Sequence, residues 1–265
     1  MPVTDVGAFL GAYPYRHLGS AASPEWLLAQ MDRLGIDVAW VGYLPTILHS
    51  DPAPGNRELE KAVAQVRDRL EPVPTINPEQ ALWQEDVNAA ALLRAPAIRL
   101  FPQYQGVATA GPESRAVAES CVKAGLAVVL SVRLEDLRQR HPLDRAGELE
   151  PHEVRALIRA VDGLRLVVTH ADRTFIEEVH FGLTPEEADR VVWDISWLWG
   201  PPDDHLQHLV RTVGPERFVF GTGTPLRIPD ATVVKLELSD LEPDTLAGIR
   251  GGHLGRWLGR RDGGR

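Results

Sequence analysis

Cysteine is nearly absent: the one thiol, Cys121, rules out a disulfide within the chain, and its helical setting reads as a packed side chain rather than a nucleophile. Long apolar runs are missing too. No stretch approaches the roughly 20 residues of a membrane span, and the start of the chain has no basic region leading into an apolar core, so a cytoplasmic protein without a membrane partner is expected. Positive charge is in the minority, with 28 Lys and Arg against 37 Asp and Glu and a net charge of -9, which speaks against nucleic acid as a partner. No Gly-x-Gly-x-x-Gly turn follows the first apolar segment, so the signature of a dinucleotide site is missing. Ser196 lacks a Gly-x-Ser-x-Gly elbow, and serine-hydrolase chemistry is not indicated.

What is present is a regular alternation. Residues 23–34 carry Trp26, Leu27, Met31 and Leu34 at helical spacing, with Ser23 as cap, Pro24 in the first turn and Gly35 as the stop. Apolar segments at 4–10, 37–44, 72–76, 97–101, 127–132, 164–169, 191–195 and 218–220 read as inner strands. Helical patterns separate them at 56–69, 82–93, 113–124, 152–161, 174–190 and 203–213, and a last one covers 244–258. Eight such units predict an α/β fold, a single (β/α)8 TIM barrel spanning 1–259. Residues 133–150 form a polar insertion over the C-terminal mouth of the barrel, and 260–265 are expected to be a disordered tail.

In such a barrel the strand C-termini and the loops after them line the working face. That rule gathers Tyr13, Tyr15, Arg16, His49, Asn77, Arg99, Tyr104, Arg133, Glu135, Asp136, His141, His170, Asp172, Asp194, Ser196 and Thr222. Arg16, Arg99 and Arg133 suggest recognition of a carboxylate or phosphate, since a guanidinium fork matches two such oxygens, with Tyr15, Tyr104 and His141 as further binding residues. The opposing reading pairs each arginine with a nearby acid, for instance Arg133 with Asp136. His170 and Asp194 are the candidates for moving a proton. Asp5 is read as fixing backbone, and Trp193, Trp197 and Trp199 as packing or as a wall of the mouth.

The opening Asp5 to Arg16, the segment 31–37, Asn77-Pro78, Arg99-Leu100-Phe101-Pro102, Thr169-His170 and Phe220-Gly221-Thr222-Gly223-Thr224-Pro225, in this order, resemble the amidohydrolase-related (amidohydrolase family 2-like) barrels. In that family strand one supplies two metal-binding histidines, strand five a histidine or modified lysine, strand six a histidine and strand eight an aspartate. This chain is similar to a divergent branch: Gly7 and Phe9 hold the strand-one positions, Ser131, Val132 and Arg133 follow on strand five, and Gly223 stands at the aspartate. His170 alone matches. A catalytic zinc needs about three protein ligands, so no family-type metal and no other cofactor is expected. A different site from Glu135, His141, His170 and Asp172 stays open if those side chains converge. The resemblance implies a hydrolase or lyase acting without metal on a small anionic molecule. The alternative is a catalytically inactive barrel that binds a small molecule or a partner protein, and a homo-oligomer is compatible with either.

Overall fold

The computed structural model describes residues 1–259, and the tail expected at 260–265 lies outside the described residues. Eight strands are present: β1 (Thr4–Leu10), β2 (Val38–Tyr43), β3 (Leu70–Pro72), β4 (Ala97–Leu100), β5 (Ala127–Ser131), β6 (Leu166–Thr169), β7 (Val191–Asp194) and β8 (Phe218–Val219). Parallel pairing runs β1-β2-β3 in one arc and β4-β5-β6-β7-β8 in the other. Backbone hydrogen bonds join the arcs at both ends. Arg99 N–H donates to the Pro74 carbonyl at 2.8 Å and Ile76 N–H to that of Arg99 at 3.0 Å, while Val6 N–H reaches Phe220 O at 3.0 Å and Phe9 N–H reaches Thr224 O at 2.8 Å. Hydrogen bonding therefore runs round the whole ring.

The near-continuous apolar strands follow from burial on both faces. Ile98, Val128, Val168 and Trp193 point outward to the helices, against residues such as Met31, Val117, Leu157 and Ile176. Their neighbours Ala97, Val129, Val167 and Val192 point inward, and with Val6, Trp40 and Val219 they fill the lower barrel. Leu254, from the helix His253–Trp257, packs into the same inner cluster and stoppers the barrel from below. Two residues further along each strand the inward position turns polar: Arg99 follows Ala97, Ser131 follows Val129, Thr169 follows Val167 and Asp194 follows Val192. All four are buried. A polar layer thus sits on an apolar one, at the strand C-termini.

The helix Pro24–Leu34 begins and ends where its sequence says: Ser23 Oγ accepts from Trp26 N–H, and Gly35 closes the helix at φ 66°, a left-handed conformation in which a side chain would be strained. Cys121 is fully buried in the helix Pro112–Ala124, and burial pushes its thiol up to about 12. The helix expected over 56–69 runs instead from Ala53 to Val63. A helix Pro229–Leu238 was not expected, and 174–190 holds two helices, Arg173–His180 and Pro185–Ala188. Among the described residues no helix is long and apolar enough to cross a membrane.

Candidate active site

The polar layer centres on Arg99, wholly buried on β4. Its Nη2 donates to the Val6 carbonyl at 3.0 Å and its guanidinium lies 4.5 Å from the Phe9 ring centroid, while Nε and Nη1 have no partner among the described residues. Burial lowers its pKa to about 10, and Asp5 and Asp194 act in the opposite direction. Gly42 makes the room, because a Cβ there would stand 2.9 Å from Arg99 Nε.

Asp194, at the end of β7, is equally buried. One oxygen, Oδ1, accepts the His170 N–H at 2.8 Å, and among the described residues Oδ2 has no partner within hydrogen-bond geometry, although the nearby Ser196 favours the charged carboxylate. Burial raises its pKa to about 6, so a single proton can enter or leave near neutrality. Glycines surround the free oxygen. A Cβ on Gly221 would lie 2.6 Å from Oδ2, and one on Gly7 would lie 3.3 Å from it and 3.2 Å from Gly223 N.

His170 follows β6 in a left-handed conformation, φ 61°. Its Nδ1 lies 2.7 Å from the Arg133 carbonyl, which can only accept, so the proton sits on Nδ1 and Nε2 presents a lone pair. That Nε2 is buried without a partner among the described residues and would be 3.2 Å from a Cβ on Gly223. Burial, opposed by the bond to Arg133 and reinforced by the charges of Arg227, Arg99 and Arg133, lowers its pKa to about 3. The ring is therefore neutral at physiological pH. An unperturbed imidazole titrates near neutrality, and burial first and the arginine charges after it remove His170 from that range.

Of the other residues singled out, the structure draws Arg16 and Arg133 toward acids. Arg16 reaches Glu135 at 3.4 Å and the Leu226 carbonyl at 2.5 Å; Arg133 bridges Asp172 at 2.8 Å and Glu148 at 2.9 Å. Asp136 pairs instead with Arg138. Tyr104 donates to Asp144 Oδ2 at 3.0 Å and Tyr13 to the same oxygen at 3.3 Å, while the exposed His141 stacks on Tyr15 with centroids 5.7 Å apart. These contacts lay residues 133–150 against the mouth as a strap. Asp144→Ala would leave two tyrosine hydroxyls without their acceptor and should free the strap at a cost of about 1–3 kcal/mol. Limited proteolysis should then cut within 133–150 several times faster than in the wild type; an unchanged rate would show that the strap is held elsewhere.

Sequence reasoning missed Arg227. Its guanidinium lies 4.5 Å from the ring centroid of Trp197, whose ring is itself 6.4 Å from His170. Position alone would have found it, since it follows β8 by a few residues and so belongs to the mouth.

The donors present do not fit the divalent ion that the resemblance brings with it. Among the described residues no group of three or more His, Cys, Asp or Glu side chains is placed to hold a metal. Glu135, His141, His170 and Asp172 do not converge: Asp172 caps the helix Arg173–His180 and pairs with Arg133, and Glu135 pairs with Arg16. The lone pair of His170 moreover faces a field of arginine charge, which opposes a cation as it opposes a proton.

No family model matches the chain, and no curated protein matches it in sequence. Solved structures do match its fold. One is 5-carboxyvanillate decarboxylase from Novosphingobium aromaticivorans, solved with manganese and 4-hydroxy-3-methoxy-5-nitrobenzoic acid, at 13% identity and a TM-score of 0.74 over 97% of this chain and 96% of that one. Another is 2,6-dihydroxybenzoate decarboxylase from Rhizobium, at 11% identity and a TM-score of 0.72 over 97% and 98%. A third is an amidohydrolase from Mycobacterium avium subsp. paratuberculosis, at 15% identity and a TM-score of 0.66 over 92% and 76%. The fold is that of the amidohydrolase-related barrels, as the sequence motifs indicate.

Proposed function

We propose, from a fold shared with decarboxylases and an amidohydrolase, that this chain is an enzyme of hydrolase or lyase type. It acts on a small carboxylate-bearing molecule without a bound metal ion, and aromatic carboxylates are the first substrates to test. One observation carries the reading: buried polar atoms with no protein partner, Asp194 Oδ2, His170 Nε2 and two guanidinium nitrogens of Arg99, occur together in the polar layer, where a closed core would have satisfied them. The glycines at 7, 221 and 223 keep side chains out of that space, and Phe9 and Trp197 flank it with aromatic surface.

In this reading Asp194 holds or gives the proton, because burial sets its pKa close to the working pH. Neutral His170, fixed by Arg133 O, offers Nε2 as an acceptor that orients a hydroxyl or a water. Arg99 stabilises negative charge developing at the floor of the site. The test incubates metal-stripped protein with a panel of hydroxylated benzoates and of amides and esters of small carboxylic acids, following loss of substrate and release of carbon dioxide. Turnover that persists in chelator supports the reading. Turnover only after manganese or zinc is returned would overturn its metal-free part, and tight binding without turnover would favour the inactive barrel.

A further inference from the structure

We propose that Arg227 is the residue that captures the ligand's carboxylate. The inference rests on the carboxylate reading above and adds the residue that would decide it.

Three observations lead there. The first is the place. A Cβ on Gly223 would stand 3.0 Å from Arg227 Cδ and 3.2 Å from His170 Nε2, so the arginine stem runs through the room that a side chain at 223 would occupy, beside the free histidine nitrogen. In the family that this chain resembles, that position holds a metal-binding aspartate, and glycine here admits the arginine instead. The backbone supports the placement, since Arg227 N–H donates to Gly223 O at 3.0 Å in a tight turn.

The second is the pairing of charges. Arg16 and Arg133 are each in contact with a carboxylate, and Arg99 is flanked by Asp5 and Asp194. The Arg227 side chain makes no hydrogen bond and no ion pair among the described residues, although it is half-buried. Asp194 and Asp136 act on it electrostatically but neither is within ion-pair distance, so a guanidinium partly withdrawn from water keeps its N–H donors for a ligand. The third is geometry: the guanidinium lies 4.5 Å from the Trp197 ring centroid, a cation–π contact that places it beside His170, whose ring is 6.4 Å from the same tryptophan. A carboxylate on this guanidinium would bring the rest of the ligand toward His170 Nε2, which the arginine stem adjoins across Gly223.

The test measures binding by the fluorescence of the tryptophans, with 2,6-dihydroxybenzoate as probe and its neutral amide as the control of equal shape. Wild type should bind the carboxylate at least about tenfold more tightly than the amide. Arg227→Gln should weaken the carboxylate by about 10–100-fold, as expected for a charge-assisted hydrogen bond, and leave the amide unchanged. Arg227→Lys should recover part of the loss. Bound carboxylate should also protect Arg227 of the unmodified protein from phenylglyoxal, read by mass spectrometry of the peptide, a readout that needs no variant to fold. Equal carboxylate affinity in wild type and Arg227→Gln, a parallel loss for carboxylate and amide, or no protection would overturn the assignment while leaving the carboxylate reading in place. Failure of wild type to bind the carboxylate at all would overturn both.

Discussion

Asp194→Asn should reduce turnover of an accepted substrate by about 10²–10⁴, the usual worth of a positioned proton-transfer group, while the protein stays folded. Asparagine keeps an oxygen for the His170 N–H and keeps the shape, and it removes only the titration. Its effect on stability has a definite pH dependence. Burial raises the folded-state pKa from 3.8 to about 6, so the folded form binds the proton more tightly than the unfolded chain. That contribution is complete below about pH 4 and is lost as pH rises through about 6. The wild type should therefore lose stability relative to Asp194→Asn across that interval, and the difference should be constant above it.

His170 works in the opposite direction. Its folded pKa falls from 6.5 to about 3, so its contribution is present above about pH 6.5 and is lost as pH falls toward 3. In the wild type the two windows overlap and mask one another. Melting curves of Asp194→Asn between pH 4 and 7 should uncover the histidine as a steeper acid-side loss than the wild type shows. Parallel curves for the two proteins would mean that Asp194 is ionised throughout, and the proton-transfer role would go with it.

The second large effect belongs to Asp5. Its Oδ1 accepts the N–H groups of Gly7 at 2.9 Å and Thr222 at 3.0 Å, and its Oδ2 accepts the Thr222 hydroxyl at 2.5 Å. One side chain thus ties β1 to the segment that follows β8. Asp5→Ala strips the acceptor from three buried donors at once, and about 3–5 kcal/mol of stability should go with it. In a protein of this size that lowers the melting temperature by about 10 °C. Asp5→Asn, which keeps acceptor oxygen at the seam, should lose clearly less. A fall of under about 2 °C in Asp5→Ala would show that the backbone bonds from Val6 and Phe9 hold the seam unaided.

Asp5 was legible in the sequence as a residue that fixes backbone, and so was most of the fold. Caps and stops such as Ser23, Pro24 and Gly35 act locally, and an inner strand buried on both faces announces itself in four or five residues. The helix Pro229–Leu238 escaped because Val233, Val234, Leu236 and Leu238 are not segregated to one face, and Lys235 is buried among them. The candidate site was legible by position more than by pairing. The strand-end rule placed Arg99, His170 and Asp194 correctly at the inner ends of their strands, since one strand fixes which face each residue takes. Which arginine forms an ion pair depends on partners distant in sequence: Arg133 finds Asp172 and Glu148, Arg16 finds Glu135, and the Arg227 side chain pairs with no acid among the described residues. The rotation of those side chains is set by tertiary packing, which a spacing pattern does not encode.

Leu254 at the foot of the barrel, together with the bonds from β1 to the segment after β8, bears on the order in which the molecule can be made. During synthesis the first strand emerges long before the residues that complete its second edge, and the apolar interior has no floor until the helix His253–Trp257 has left the ribosome. Until then the nascent barrel carries an open strand edge and an unplugged core, the two features that invite misassociation, so its closure waits on residues 253–257.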